Sequence, residues 1–137
     1  MNNQRVVIFL SGAIRGLPRE LSLGWRKNAN ELLGDAAETV HALRGREQKE
    51  TLPDYRLAVI RDKRDIDRSD IVLVNDTFEN SSMIGTAMEV LYAYQQNKMV
   101  LIFGNAHEKD YWLNFHSHAR FNTLEEACAF IKEHCRV

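Results

Sequence analysis

The sequence predicts an α/β domain built on a doubly wound, mostly parallel sheet of four or five strands with helices on both faces. Three observations lead there. Residues 6–10 (VVIFL), 71–74 (IVLV) and 99–103 (MVLIF) are short unbroken apolar runs rich in β-branched side chains, the pattern of strands covered on both faces. Between them lie segments with apolar residues at three- and four-residue spacing, so strand and helix alternate along the chain. The first run also passes directly into a turn bearing Gly12 and Gly16, the layout of the opening strand–turn–helix unit of such sheets.

The first strand is expected over 6–10. The turn after it, 11–18 (SGAIRGLP), exposes backbone N–H groups able to cradle a phosphate, with Arg15 between the glycines to grip it bidentately. It fits neither G-x-G-x-x-G nor the P-loop pattern, which argues against a dinucleotide or a triphosphate. The plainer alternative is that the glycines only turn the chain and Arg15 is a surface charge.

A helix over 21–37 follows, with Trp25, Ala29, Leu32, Leu33 and Ala36 on its covered face and Arg26, Lys27, Asn30 and Glu31 toward solvent. A second strand is expected over 38–44, with continued helix as the competitor, and His41 on it reads as structural. Residues 45–53 are a polar loop of the kind that carries specificity, and 55–60 suggest a short extended piece. Eight of the ten residues 61–70 are charged, which reads as a solvated helical turn laced with ion pairs.

The third strand, 71–74, leads through a polar loop into a helix with Ala87, Val90, Leu91 and Tyr94 inward, and the fourth strand, 99–103, ends at Gly104. The aromatic run 111–118 (YWLNFHSH) fits no element firmly, and core packing is its default use. His116 and His118 have no Cys, Asp or Glu at ligand spacing, so no zinc site is expected, and nothing in the sequence calls for a cofactor. A capping box at Thr123 and Glu126 opens the last helix. This order of elements is flavodoxin-like.

A chain of 137 residues makes one domain, 1–137, with a self-sufficient core. A formal net charge of -1 with scattered charges leaves no basic stripe for a nucleic acid polymer, so the ligand is expected to be small. The apolar runs are too short for a membrane span or a signal peptide. Cys128 and Cys135 lie two turns apart on one helix and read as reduced thiols of a cytoplasmic protein.

The chemistry concentrates between Asp70 and Glu89. Glu89 falls in the first turns of the helix after the 71–74 strand, just beyond that strand's carboxyl end, where open α/β sheets bind ligands. The helix dipole is expected to hold it ionised, available as a base or a nucleophile.

These residues resemble the nucleoside 2-deoxyribosyltransferase superfamily, including its 2'-deoxynucleoside 5'-monophosphate N-hydrolase branch, over nearly the whole chain. The resemblance is carried by Phe9-Leu10-Ser11-Gly12-Ala13-Ile14-Arg15-Gly16, by Arg61-Asp62 ahead of Ser69-Asp70-Ile71-Val72-Leu73-Val74, and by Ser82 with Gly85-Thr86-Ala87-Met88-Glu89. It continues through Lys98-Met99-Val100 to Leu124-Glu125-Glu126-Ala127.

The resemblance implies that Glu89 attacks the anomeric carbon to form a covalent glycosyl-enzyme while Asp62 assists protonation of the leaving base, with Asp65 competing for that base-facing role. It further implies transfer of the deoxyribosyl group to another nucleobase. The alternatives are hydrolysis of a 2'-deoxynucleoside 5'-monophosphate or a nucleotide-binding module without turnover. In the hydrolase branch the turn matched by Gly12, Ile14, Arg15 and Gly16 binds the phosphate, aided by a serine such as Ser82; Gly85 belongs to the same site. Phe9 departs from the family's tyrosine, keeping the ring and losing a hydrogen bond to the glutamate, so either turnover is lower or another donor orients Glu89. The family's homodimers or larger homo-oligomers place Asn114, Phe115 and His116 where a neighbour completes the site.

Overall fold

The computed structural model describes residues 5–46 and 54–135; most of the loop expected at 45–53 therefore lies outside the described residues. Five strands form one parallel sheet in the order β2-β1-β3-β4-β5: β1 (Val6–Ser11), β2 (Ala37–His41), β3 (Ile71–Asn75), β4 (Met99–Phe103) and β5 (Ala119–Phe121). The helices are α1 (Arg19–Leu33), α2 (Tyr55–Asp67), α3 (Ile84–Gln95), α4 (Tyr111–Phe115) and α5 (Leu124–His134). This is the flavodoxin-like α/β arrangement expected from the alternation of elements, and its switch point lies between β1 and β3.

Strand pleating sorts the core into two layers. Ile8, Leu10, Leu73 and Leu101 face α1 and α5, where Ala29, Leu33, Ala127, Cys128 and Ile131 meet them. Phe9, Val72, Val74, Val100 and Ile102 face the other side, against Ile66 of α2 and Val90 and Ala93 of α3. In register, Phe9 stands between Val40 and Val72, so its ring is held at the centre of the sheet. Thr123 caps α5 by accepting a hydrogen bond from the Glu126 backbone N–H at 3.1 Å.

Several elements differ from their sequence reading. The expected extended piece at 55–60 is the first half of α2, started by Asp54, whose carboxylate accepts from the Arg56 N–H at 2.8 Å. Its apolar residues gave no helical stripe because Tyr55, Leu57, Val59 and Ile60 all remain exposed. The charged run 61–70 continues the same helix to Asp67. Helix α1 ends at Leu33, four residues early, and a 3-10 turn at Gly34–Ala36 carries the chain into β2, which stops at His41.

Arg26, read as solvent-facing, is 1% exposed. The aromatic run does not take its default place in the core. Leu113 of α4 is buried, while Tyr111, Trp112 and Phe115 are at least 70% exposed. Among the described residues no helix is long and apolar enough to cross a membrane, no group of three or more His, Cys, Asp or Glu is placed to hold a metal ion, and Cys128 and Cys135 are free thiols.

Candidate active site

At the carboxyl end of β1 and β3, beside the switch point, a cavity of about 340 Å³ opens between the turn after β1, α2 and the start of α3. That volume lies at the small end of the ~300–1,000 Å³ range of ligand pockets. Phe9, Gly12, Ile14, Arg15, Asp62, Ser82, Gly85 and Glu89 line it, so eight of the residues picked from sequence meet around one space.

Gly12 is needed there for a steric reason. A Cβ on it would stand 3.1 Å from the Trp25 ring and 3.2 Å from Cβ of Asn75, tighter than ordinary contact. Gly16 lies outside the lining and adopts φ +85°, a conformation that favours glycine.

Glu89 comes from the second turn of α3. Its Oε1 accepts a hydrogen bond from Ser11 Oγ at 2.6 Å, and its carboxyl is close enough to that of Asp62, presented by α2, for the two to interact electrostatically. Burial pushes Glu89 up to about 8; the Ser11 hydrogen bond opposes the rise, the Asp62 charge adds to it and Arg26 opposes it. Asp62 is pushed up to about 6, by burial first and by Asp65 second, with Arg61 opposing.

Burial therefore favours the protonated form of both carboxyls, and their two titrations belong to the pair rather than to either residue. The helix dipole does not keep Glu89 ionised as the sequence suggested. Its influence falls off within the first turn, and desolvation outweighs it.

A buried cation beside this pair is Arg26. Its guanidinium donates to the carbonyl oxygens of Ser22 and of Gly12, the latter at 3.0 Å, and lies over the Trp25 ring, while its Nε has no partner. Burial lowers it to about 10, and the nearby Glu89 and Asp62 hold it up.

Sequence reasoning missed Arg26 because helical spacing placed it beside Lys27 on the outer face. It missed Ser11 because a serine ending a strand looks like turn chemistry. The available signal was pleating: Ser11 shares a strand face with Phe9 and so points where α3 lies.

Besides Gly16, two sequence candidates stay outside the cavity. Asp65 is 3% exposed and engages Arg44 at 2.8 Å and Arg68 at 3.6 Å, so between the two aspartates only Asp62 reaches Glu89. His116 belongs to the aromatic face of α4, stacked on Trp112, with Nδ1 2.7 Å from the Trp112 carbonyl oxygen. Asn114 is tied locally, donating to the Glu108 carbonyl and accepting from Arg120.

Fold and site together define a flavodoxin-like α/β domain with a carboxyl pair, Glu89 and Asp62, at its switch-point crevice. Solved structures sharing this architecture include a 2-deoxyribosyltransferase of Bacillus psychrosaccharolyticus, with a TM-score of 0.71 and 17% identity over 89% of this chain and 90% of that one. A 2-deoxyribosyltransferase of Leishmania mexicana matches with a TM-score of 0.68 and 16% identity, over 94% and 98% of the two chains. A CMP N-glycosidase of Clostridium botulinum matches with a TM-score of 0.62 and 16% identity, over 93% and 99%. No protein-family model and no curated protein matches the sequence. The chain thus has the fold of the 2-deoxyribosyltransferases and of this N-glycosidase, along nearly its whole length.

Proposed function

We propose that the chain cleaves the N-glycosidic bond of a nucleoside 5'-monophosphate by double displacement. The observation that carries this reading is the carboxyl pair itself: Glu89 and Asp62, from α3 and α2, facing the same single cavity. A retaining displacement at a glycosidic carbon requires a carboxylate nucleophile and an acid for the leaving group, and two carboxyls on one cavity wall provide one residue for each role. Glu89 bonds to the anomeric carbon as the C–N bond breaks, the bonding electrons pass to the base nitrogen, and Asp62 protonates it. A water then attacks the anomeric carbon, giving its proton to the Asp62 carboxylate, and the electrons of the breaking ester C–O bond return to Glu89.

Support for a 5'-phosphate comes from the cations of the cavity wall and from α3. Arg15 lines the cavity, and α3 begins there at Ile84, Gly85 and Thr86 without a side-chain cap, leaving first-turn N–H groups for an anion. The likeness to a CMP N-glycosidase agrees with a monophosphate substrate.

A second reading, transfer to another nucleobase, is favoured by a further hollow of about 410 Å³ between α2 and α3. It meets the first at Asp62, Gly85 and Glu89, and its apolar lining of Val59, Ile66 and Met88 suits an acceptor base. The exposed side chains of Ile84, Met88, Trp112 and Phe115 form an apolar face on α3 and α4, which we assign to a second copy of the chain. Light scattering is expected to return a dimer or larger; a monomer at assay concentration would rule this out.

Incubation with CMP, dCMP, dGMP and the free nucleosides, with and without an acceptor base, tests the reading. Free base from 5'-monophosphates is the expected product, whereas exchange that requires an acceptor base favours transfer. Arg15→Ala is expected to weaken monophosphates by about 2 kcal/mol while leaving nucleosides nearly unchanged. Equal losses for both would remove phosphate recognition from Arg15.

A further inference from the structure

We propose that Ser11 is a positioning residue that fixes the Glu89 carboxylate for attack, a role for which the neighbouring Phe9 has no polar atom. The inference rests on the glycosidic reading above and adds a residue to it.

Ser11 closes β1 in parallel register with Val74 of β3, and it is 1% exposed, so its side chain has a fixed direction. Pleating puts it on the face of Phe9, toward α3. Its hydroxyl donates to Oε1 of Glu89 at 2.6 Å, within the range of a charge-assisted O–H···O⁻ bond. Ser11 is buried and Glu89 is partly buried on the cavity wall, so the bond is better shielded than one at the surface and is lost outright on truncation.

The charges around Glu89 explain why such a donor is needed. From α2 comes Asp62, with Asp65 and Arg61 beyond it; from α1 comes Arg26; the cavity wall adds Arg15 and Arg46. Burial and Asp62 favour the protonated glutamic acid, which is not a nucleophile, while Ser11 and Arg26 oppose them. Of these two, only Ser11 is bonded to a carboxylate oxygen in the structure, holding it while the other oxygen attacks. No proton leaves Ser11 in this role: its O–H stays a donor throughout, and the leaving base takes its proton from Asp62.

The test compares wild type, Ser11→Ala and Glu89→Gln for base release from CMP and dCMP across about pH 5 to 9. It also follows the Glu89 carboxyl directly by carbon-13 NMR in wild type and Ser11→Ala. Ser11→Ala is expected to lower kcat about 10- to 100-fold with KM little changed, the loss of one hydrogen bond to a charged group. The acid limb of its kcat profile and the NMR titration of Glu89 should both move to higher pH. Should Ser11→Ala not fold, Ser11→Cys, which keeps a side-chain atom at the hydroxyl position and weakens the donor, carries the same comparison.

Wild-type kcat in Ser11→Ala, with an unmoved acid limb and an inactive Glu89→Gln, would overturn the role of Ser11 and leave the glycosidic reading intact. Absence of base release from the wild type would remove that reading instead. The NMR titration then still decides Ser11, an unchanged Glu89 overturning it.

Discussion

Glu89→Gln is expected to abolish base release, lowering turnover by three to five orders of magnitude, about 4–7 kcal/mol in the barrier. The amide is isosteric and keeps a carbonyl oxygen to accept from Ser11, so the cavity and the packing of α3 survive while the nucleophile is gone. Stability should move the opposite way. Glu89 and Asp62 rise from ordinary values of 4.5 and 3.8 to about 8 and about 6, so through that window the folded protein binds more protons than the unfolded chain. The substrate-free wild type therefore loses stability as pH rises across it. Glu89→Gln removes the larger contribution, and its denaturation midpoint should exceed that of wild type at about pH 8, with a flatter pH profile. A variant less stable than wild type at that pH would contradict the burial assigned to Glu89.

Arg26→Met is the second large effect. It deletes a buried cation that lies beside the carboxyl pair and binds the Gly12 and Ser22 carbonyl oxygens, so a loss of about 3–5 kcal/mol is expected at neutral pH. The sign of its pH dependence separates the two contributions. Without Arg26 the ionised pair is left uncompensated, which costs most where the pair is charged. On acidification both carboxyls take up protons, and the deficit relative to wild type should shrink. Urea denaturation at about pH 5 and about pH 8 reads this directly. A deficit equal at both values would mean that Arg26 acts through the two carbonyls alone.

What the sequence disclosed and what it hid follow from how local each signal was. The runs at 71–74 and 99–103 and the cap at Thr123 are set by burial on both faces and by a bond three residues long, and the structure has them where pattern reading puts them. Helix α2 was hidden because most of its apolar side chains stay exposed, so no buried stripe marked its period. Eight site candidates meet at one cavity because a parallel sheet collects the ends of its strands. Asp65 and Asp62 were indistinguishable until a helix placed one toward Glu89 and the other toward Arg44, a side chain 21 residues away in sequence. Arg26 was misread because an arginine on a helix is normally a surface group, and its buried partner, the Gly12 carbonyl oxygen of the turn after β1, is set by how that turn packs on α1.

The most direct test of the two-carboxyl account is the stereochemistry of solvolysis. A β-configured nucleotide is incubated with the protein in buffer containing methanol, and the methyl glycoside formed is identified by NMR. Attack by Glu89 followed by attack of the solvent inverts the anomeric carbon twice, so the β-methyl glycoside is predicted, with none formed by Glu89→Gln. The α-methyl glycoside would mean that solvent displaces the base directly, and Glu89 would not be the nucleophile.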